Sequence, residues 1–82
     1  MANLEVLLFA VARELAGADS IIVEIEMPAT AAEVMAVIGA AAPALLPLLA
    51  SCRLAVNQQY VGDDQVISEM AEAALIPPVS GG

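Results

Sequence analysis

The chain has no histidine, no lysine and no tryptophan, and it carries one cysteine, one phenylalanine and one tyrosine. Without histidine there is no base for a nucleophile triad and no imidazole to hold a metal. A single cysteine, Cys52, cannot close an internal disulfide, so nothing points to an oxidising compartment. In its apolar stretch that thiol reads as a small buried hydrophobe, with no histidine to activate it. No glycine-rich loop leads into a helix to cradle phosphate. Asp63-Asp64 could face a hard cation, but two adjacent carboxylates with few further oxygen ligands are usually a polar turn, so no metal is expected. Two arginines against ten carboxylates give a net charge of −8. That balance excludes nucleic-acid binding as a main activity and disfavours anionic membranes. It fits a basic protein partner reached by electrostatic steering, or simply the solubility of a small apolar protein.

What is present is one small domain. Its 82 residues lie near the lower limit for burying a useful core, and 61% of them are apolar, many being alanine. With so few aromatics the core must come from Leu, Ile, Val and Met. Val34 to Cys52 is an uncharged run of nineteen residues, about the length that crosses a bilayer. Pro43 and Pro47 fall inside it and each removes a helix hydrogen bond that lipid cannot replace, so no membrane span is expected. No basic segment precedes an apolar run at the N-terminus, and the expected compartment is the cytoplasm.

Periodicity predicts the elements. In "LEVLLFA" (4–10), Leu4, Val6 and Leu8 share one strand face and Glu5, Leu7 and Phe9 the other. "VARELAG" is a short helical turn closed by Gly17. "IIVEIEM" alternates, with Ile21, Val23, Ile25 and Met27 opposite Glu24 and Glu26. Pro28 ends that strand, and "TAAE" at 30–33 has capping-box spacing for a helix running to about Ala42. Val34, Val37, Ile38 and Ala41 form the apolar face of that helix. A further turn, "ALLPLLA", follows; then come two short strands around Asn57 and Gln58, and a Gly-Asp turn. Residues 65–72 show no decided pattern, and "AALI" is a last short strand ended by Pro77. The order implies an α+β domain, a sheet with one main helix on a single face. The other face meets solvent or a partner. Phe9, Tyr60 and Ile76 sharing that face would make an apolar patch ringed by carboxylates; the alternative is that all three belong to the core.

The sequence closes on "LIPPVSGG". Two prolines favour a stiff extended exit from the sheet, and two glycines without β-carbons can thread a narrow channel. Four residues beyond Pro78 give a reach of about 13 Å. A terminal carboxylate on such an arm is a chemical handle if another enzyme activates it.

"VLLFAVARELAG" (6–17), "LAVNQQYV" (54–61) and "PPVSGG" (77–82) together resemble the small subunit of molybdopterin synthase, the MoaD family. The resemblance covers most of the chain in order. It implies a ubiquitin-like β-grasp fold at 1–76, with a mixed sheet of about five short strands and one main helix and short helical turns on one face. The tail is then 77–82, ending in Gly81-Gly82. It implies a carrier, not itself the catalyst, whose Gly82 carboxylate is adenylated with ATP by a ubiquitin-activating-type (MoeB-like) adenylyltransferase. A sulfur donor enzyme then supplies the sulfur of a thiocarboxylate. Pro77, Pro78, Val79 and Ser80 would enter the large (MoaE-like) subunit, where sulfur passes to a cyclic pyranopterin precursor to form the dithiolene of molybdopterin. The active-site lysine is expected on that large subunit, in a heterotetramer of two small and two large subunits. No cofactor is expected to be bound. By the same resemblance Phe9, Tyr60 and Ile76 dock partners. Two departures stand out: "SEMAEA" replaces a common Gly-Asp-Glu turn, and Leu75-Ile76 replace aromatics before the prolines. Other readings of the same end are a sulfur carrier for another pathway such as thiamine thiazole, or a ubiquitin-like modifier conjugated through Gly82. The absence of lysine rules out lysine-linked chains of itself.

Overall fold

Strict alternation builds the first strand, β1 (Ala2–Leu8): Leu4, Val6 and Leu8 are buried and the residues between them are not. The computed structural model describes residues 2–68 and 71–77 of the chain. After β1 the chain turns into α1 (Ala10–Ala16), which Gly17 closes in the left-handed conformation at φ 70°, its N–H bonded to the Arg13 carbonyl at 2.9 Å. A β-carbon on Gly17 would touch nothing within 4 Å, so it is the left-handed backbone conformation, and not space, that favours glycine there. Strand β2 (Ser20–Ile25) returns antiparallel to β1, pairing Leu4 with Val23 and Glu5 with Ile22.

The main helix, α2 (Ala31–Ala41), begins where a short strand β3 (Ala29–Thr30) ends. Its first three amides are all satisfied. Ala31 N–H donates to the Gln65 carbonyl at 2.9 Å, Ala32 N–H to the Asp63 carbonyl at 3.0 Å, and Glu33 N–H to Thr30 Oγ1 at 3.2 Å. The Glu33 carboxylate reaches back to the Thr30 amide at 2.8 Å, completing the capping box. A 3-10 turn (Pro43–Leu45) and α3 (Leu46–Leu49) follow, bent by 114° from α2. The uncharged run is thereby split, and no single helix among the described residues is long and apolar enough to cross a membrane. Gly39 is buried where α3 packs; a β-carbon there would fall 2.7 Å from Leu46 Cδ2.

Strands β4 (Arg53–Val56) and β5 (Gln59–Tyr60) form a hairpin whose turn residues, Asn57 and Gln58, both have positive φ, as a two-residue hairpin turn requires. Strand β7 (Ala73–Ile76) inserts between β1 and β4, parallel to the first and antiparallel to the second. The five-stranded order is β2-β1-β7-β4-β5, the mixed sheet of a β-grasp. Leu4, Val6, Val23, Leu54 and Leu75 from the sheet meet Val34, Ile38, Ala12 and Leu45 from the helical layer in one core.

The α+β fold expected from periodicity is the one found. Two details differ. Val66–Ile67 in the undecided segment forms a strand, β6, that pairs with β3 in a separate two-stranded ladder. Ala41 is exposed: the buried stripe of α2 runs from Ala31 through Val34 and Ile38 to half-buried Ala42, turning Ala41 to solvent.

Because Thr30 closes the capping box, Thr30→Ala is expected to destabilise the domain by about 1 kcal/mol. Thermal denaturation should show this as a drop of about 4–8 °C.

Candidate functional site

The helix-free face of the sheet carries a concavity of about 430 Å³. Phe9, placed on this face by parity, lines it together with Tyr60 and Ile76, the two residues weighed as sharing its face. Leu7, Ala55 and Ala74 form its floor, and Gln58 and Glu72 its polar margin. Register explains the convergence: Leu7 pairs with Ala74 across β1 and β7, and Ala55 pairs with both Ala74 and Tyr60 across β4. Leu7 and Ala74 share strand parity with Phe9 and Ile76 and were legible from alternation. Gln58 and Glu72 were not, because a turn and a loop bring them in. Phe9 is 46% exposed and Tyr60 59%, so neither belongs to the core. Ile22 is also exposed on this side, paired with Glu5, whose carboxylate accepts a bond from Ser20 Oγ at 3.0 Å. The face is thus apolar at its centre and acidic around it, the composition of a protein-docking surface.

Two backbone features aim the rim. Phe9 is extended and Ala10 then takes φ 51°, a left-handed conformation that costs a non-glycine residue about 1–2 kcal/mol. This sharp turn, one residue past the end of β1 at Leu8, starts α1 and leaves the Phe9 ring outward. On the opposite rim Asn57 clasps Glu72 twice: the Asn57 N–H donates to the Glu72 carbonyl at 2.8 Å, and the Glu72 N–H donates to Asn57 Oδ1 at 2.9 Å. The β4–β5 hairpin is therefore tied to the root of β7.

Other residues weighed for chemistry fall elsewhere. Cys52 is half-buried just before β4, and burial pushes its thiol above the ordinary value, which keeps it protonated and a poor nucleophile at neutral pH. Asp63 and Asp64 lie in a turn closed by the Gln65 N–H on the Gly62 carbonyl at 3.0 Å. Among the described residues no group of three carboxylate, thiol or imidazole side chains is placed to hold a metal. Pro77, at the end of β7, is buried. Pro78, Val79, Ser80, Gly81 and Gly82 lie outside the described residues.

The ThiS family model matches residues 6–82. The chain belongs to the ThiS family. This ThiS-family chain is 40% identical over 82 residues to a molybdopterin synthase sulfur carrier subunit from Chlamydomonas reinhardtii, covering 98% of this chain and 99% of that one. The resemblance to molybdopterin synthase small subunits carried by its motifs is thereby borne out. Its fold matches the crystal structure of SAMP1 from Haloferax volcanii with a TM-score of 0.85, at 27% identity, covering 99% of this chain and all of that one. The same fold, at 21% identity and a TM-score of 0.68, occurs in a complex of subunit 1 and 2 of molybdopterin-converting factor from Helicobacter pylori 26695. That match covers 98% of this chain and 99% of the other.

Asn57 contributes both a left-handed turn residue and a side-chain acceptor. Asn57→Gly should cost about 1 kcal/mol through the lost hydrogen bond, and Asn57→Ala about 1 kcal/mol more through the turn. Urea titration of the two variants would resolve the difference. For Cys52, the folded state holds its proton more tightly than the unfolded state, so above the ordinary thiol value of about 8.5 the folded state binds more protons. Stability should therefore fall as pH rises through that range, and Cys52→Ala should remove this part of the slope in denaturant titrations between about pH 8 and 10.

Proposed function

We propose that this chain is the sulfur carrier subunit of a molybdopterin synthase. The observation that carries the reading is the full-length relationship to a protein of that name, with the Gly81-Gly82 end in the sequence. The carrier's reactive group is the Gly82 carboxylate. A carboxylate oxygen attacks the α-phosphorus of ATP on an activating enzyme of the ubiquitin-activating type, and pyrophosphate leaves. A hydrosulfide equivalent supplied by a donor enzyme adds to the acyl carbon and displaces AMP, giving the thiocarboxylate with no change in the oxidation state of sulfur. The chain's own part is positional. Glycines at 81 and 82 place no β-carbon beside the acyl carbon, so two different active sites can close around it.

The large synthase subunit then receives the tail, and sulfur passes to a cyclic pyranopterin precursor. The open-face concavity supports this two-part engagement. Ile76 belongs both to its lining and to the end of β7, so a partner seated on the face lies beside the point where the tail departs. The lysine that the transfer chemistry needs is assigned to the large subunit, since this chain has none. The compartment assigned is the cytoplasm, where a lone cysteine stays reduced.

A second reading is favoured by the likeness to SAMP1, a small archaeal modifier protein in a related crystal structure of 26% identity. In it Gly82 would form an amide with a target protein. Incubation with the activating enzyme, ATP and a sulfur donor, followed by intact-mass measurement, separates the two. The carrier reading expects the mass gain of one oxygen exchanged for one sulfur at Gly82. Deleting Gly82 should abolish pterin conversion while leaving the melting temperature unchanged. High-mass adducts to other proteins, without the sulfur exchange, would instead establish the modifier.

A further inference from the structure

The open face holds one cation among its described residues, and its placement is specific. Arg53 begins β4 and pairs with Ile76, the last residue of β7. Its guanidinium carbon lies over the Tyr60 ring, 4.7 Å from the centroid. A guanidinium stacked on an aromatic ring loses much of its rotamer freedom in advance, yet its N–H edge stays open for a planar, two-pronged acceptor. Both side chains are exposed.

We infer that Arg53, held by Tyr60 beside the exit of the tail, receives a carboxylate side chain of the large synthase subunit; this rests on the carrier reading above. Three observations support the assignment. The guanidinium lies over the ring, but no side-chain hydrogen bond from Arg53 is made within the described residues, where the ion pair found is Arg13 with Asp19 at 3.8 Å. Nine of the chain's ten Asp and Glu side chains lie among the described residues, and none of these nine is ion-paired with Arg53, whose described contact is the Tyr60 ring. The margin of the face is acidic, with Glu5 and Glu72 exposed around an apolar centre, so a complementary partner is basic opposite that margin. A basic partner would be repelled at Arg53 unless it carried one acid there. A single inverted charge within a complementary field fixes register and rejects partners that lack the matching group. Opposite Ile76, that register is set at the base of the arm.

The test measures the affinity of the full-length carrier for its own large subunit at low and high ionic strength. Arg53→Gln is expected to weaken binding about tenfold at low salt, with a smaller loss at high salt. Arg53→Lys should recover only part, because an ammonium lacks the fork and the flat stack. Arg53→Glu should weaken binding further, and changing one Asp or Glu of the large subunit to Lys should restore it. Phe9→Ala serves as the control for the docking face and should weaken binding at both salt concentrations. If Phe9→Ala weakens binding while Arg53→Gln and Arg53→Glu do not, the carboxylate inference fails and the docking surface stands. If no single carboxylate change on the large subunit rescues Arg53→Glu, the inference also fails. If Phe9→Ala is silent as well, the docking reading of the open face falls with it.

Discussion

The parallel pairing of β1 with β7 is the constraint on which the rest of the molecule depends. It joins the two ends of the described chain at the centre of the sheet, aligning Val6 with Ala73, Leu7 with Ala74 and Leu8 with Leu75. Two antiparallel partners, β2 and β4, then extend the sheet outward on either side. Residues of one parity, Val6, Leu8, Ala73 and Leu75, are buried against the helical layer. Residues of the other parity, Leu7, Ala74 and Ile76, floor the concavity. One register therefore sets the core and the docking face together, and a slip by one residue would exchange them. Small side chains suit β7, since Ala73 and Ala74 let it sit between two neighbours without crowding either face.

From that pairing the site follows by local devices. The left-handed Ala10 turns the chain into α1 just past the end of β1, and the Asn57–Glu72 clasp holds the hairpin bearing Tyr60 against the start of β7. Phe9 and Tyr60 are far apart in sequence, yet β1 flanks β7 directly and β5 reaches it across β4, so both line the concavity that Ile76 lines. The sequence has no histidine and no lysine, and burial holds the proton on its one thiol; what the fold presents is a shaped surface at the end of β7.

Much of this was legible in the residues. Period-two alternation located β1 and β2 and put Phe9 on the open face, because one-sided burial imposes that alternation; of the two readings left for Phe9, Tyr60 and Ile76, a shared face or the core, the structure has the shared face. The Thr30–Glu33 spacing and Gly17 marked the bounds of helices, since both act through local hydrogen bonds that short motifs encode. The two-residue strands β3 and β6 were illegible: each is too short to show a period, and their pairing joins segments more than thirty residues apart. Ala41 was misplaced because its helical spacing matches the buried stripe, while the bend after Ala42 carries the core away from it. The Arg53–Tyr60 stack was also invisible, since it depends on a hairpin register that the sequence does not spell out.

The central position of β7 has a mechanical consequence. The strand that carries the arm is hydrogen-bonded along both edges, to β1 on one side and β4 on the other. Tension applied at Pro77, just beyond the strand, would run along the strand axis. It loads both ladders in shear, so their bonds share the force instead of parting one at a time as they would in a peeled edge strand. β7 is thus the strand of the sheet best able to resist being pulled out.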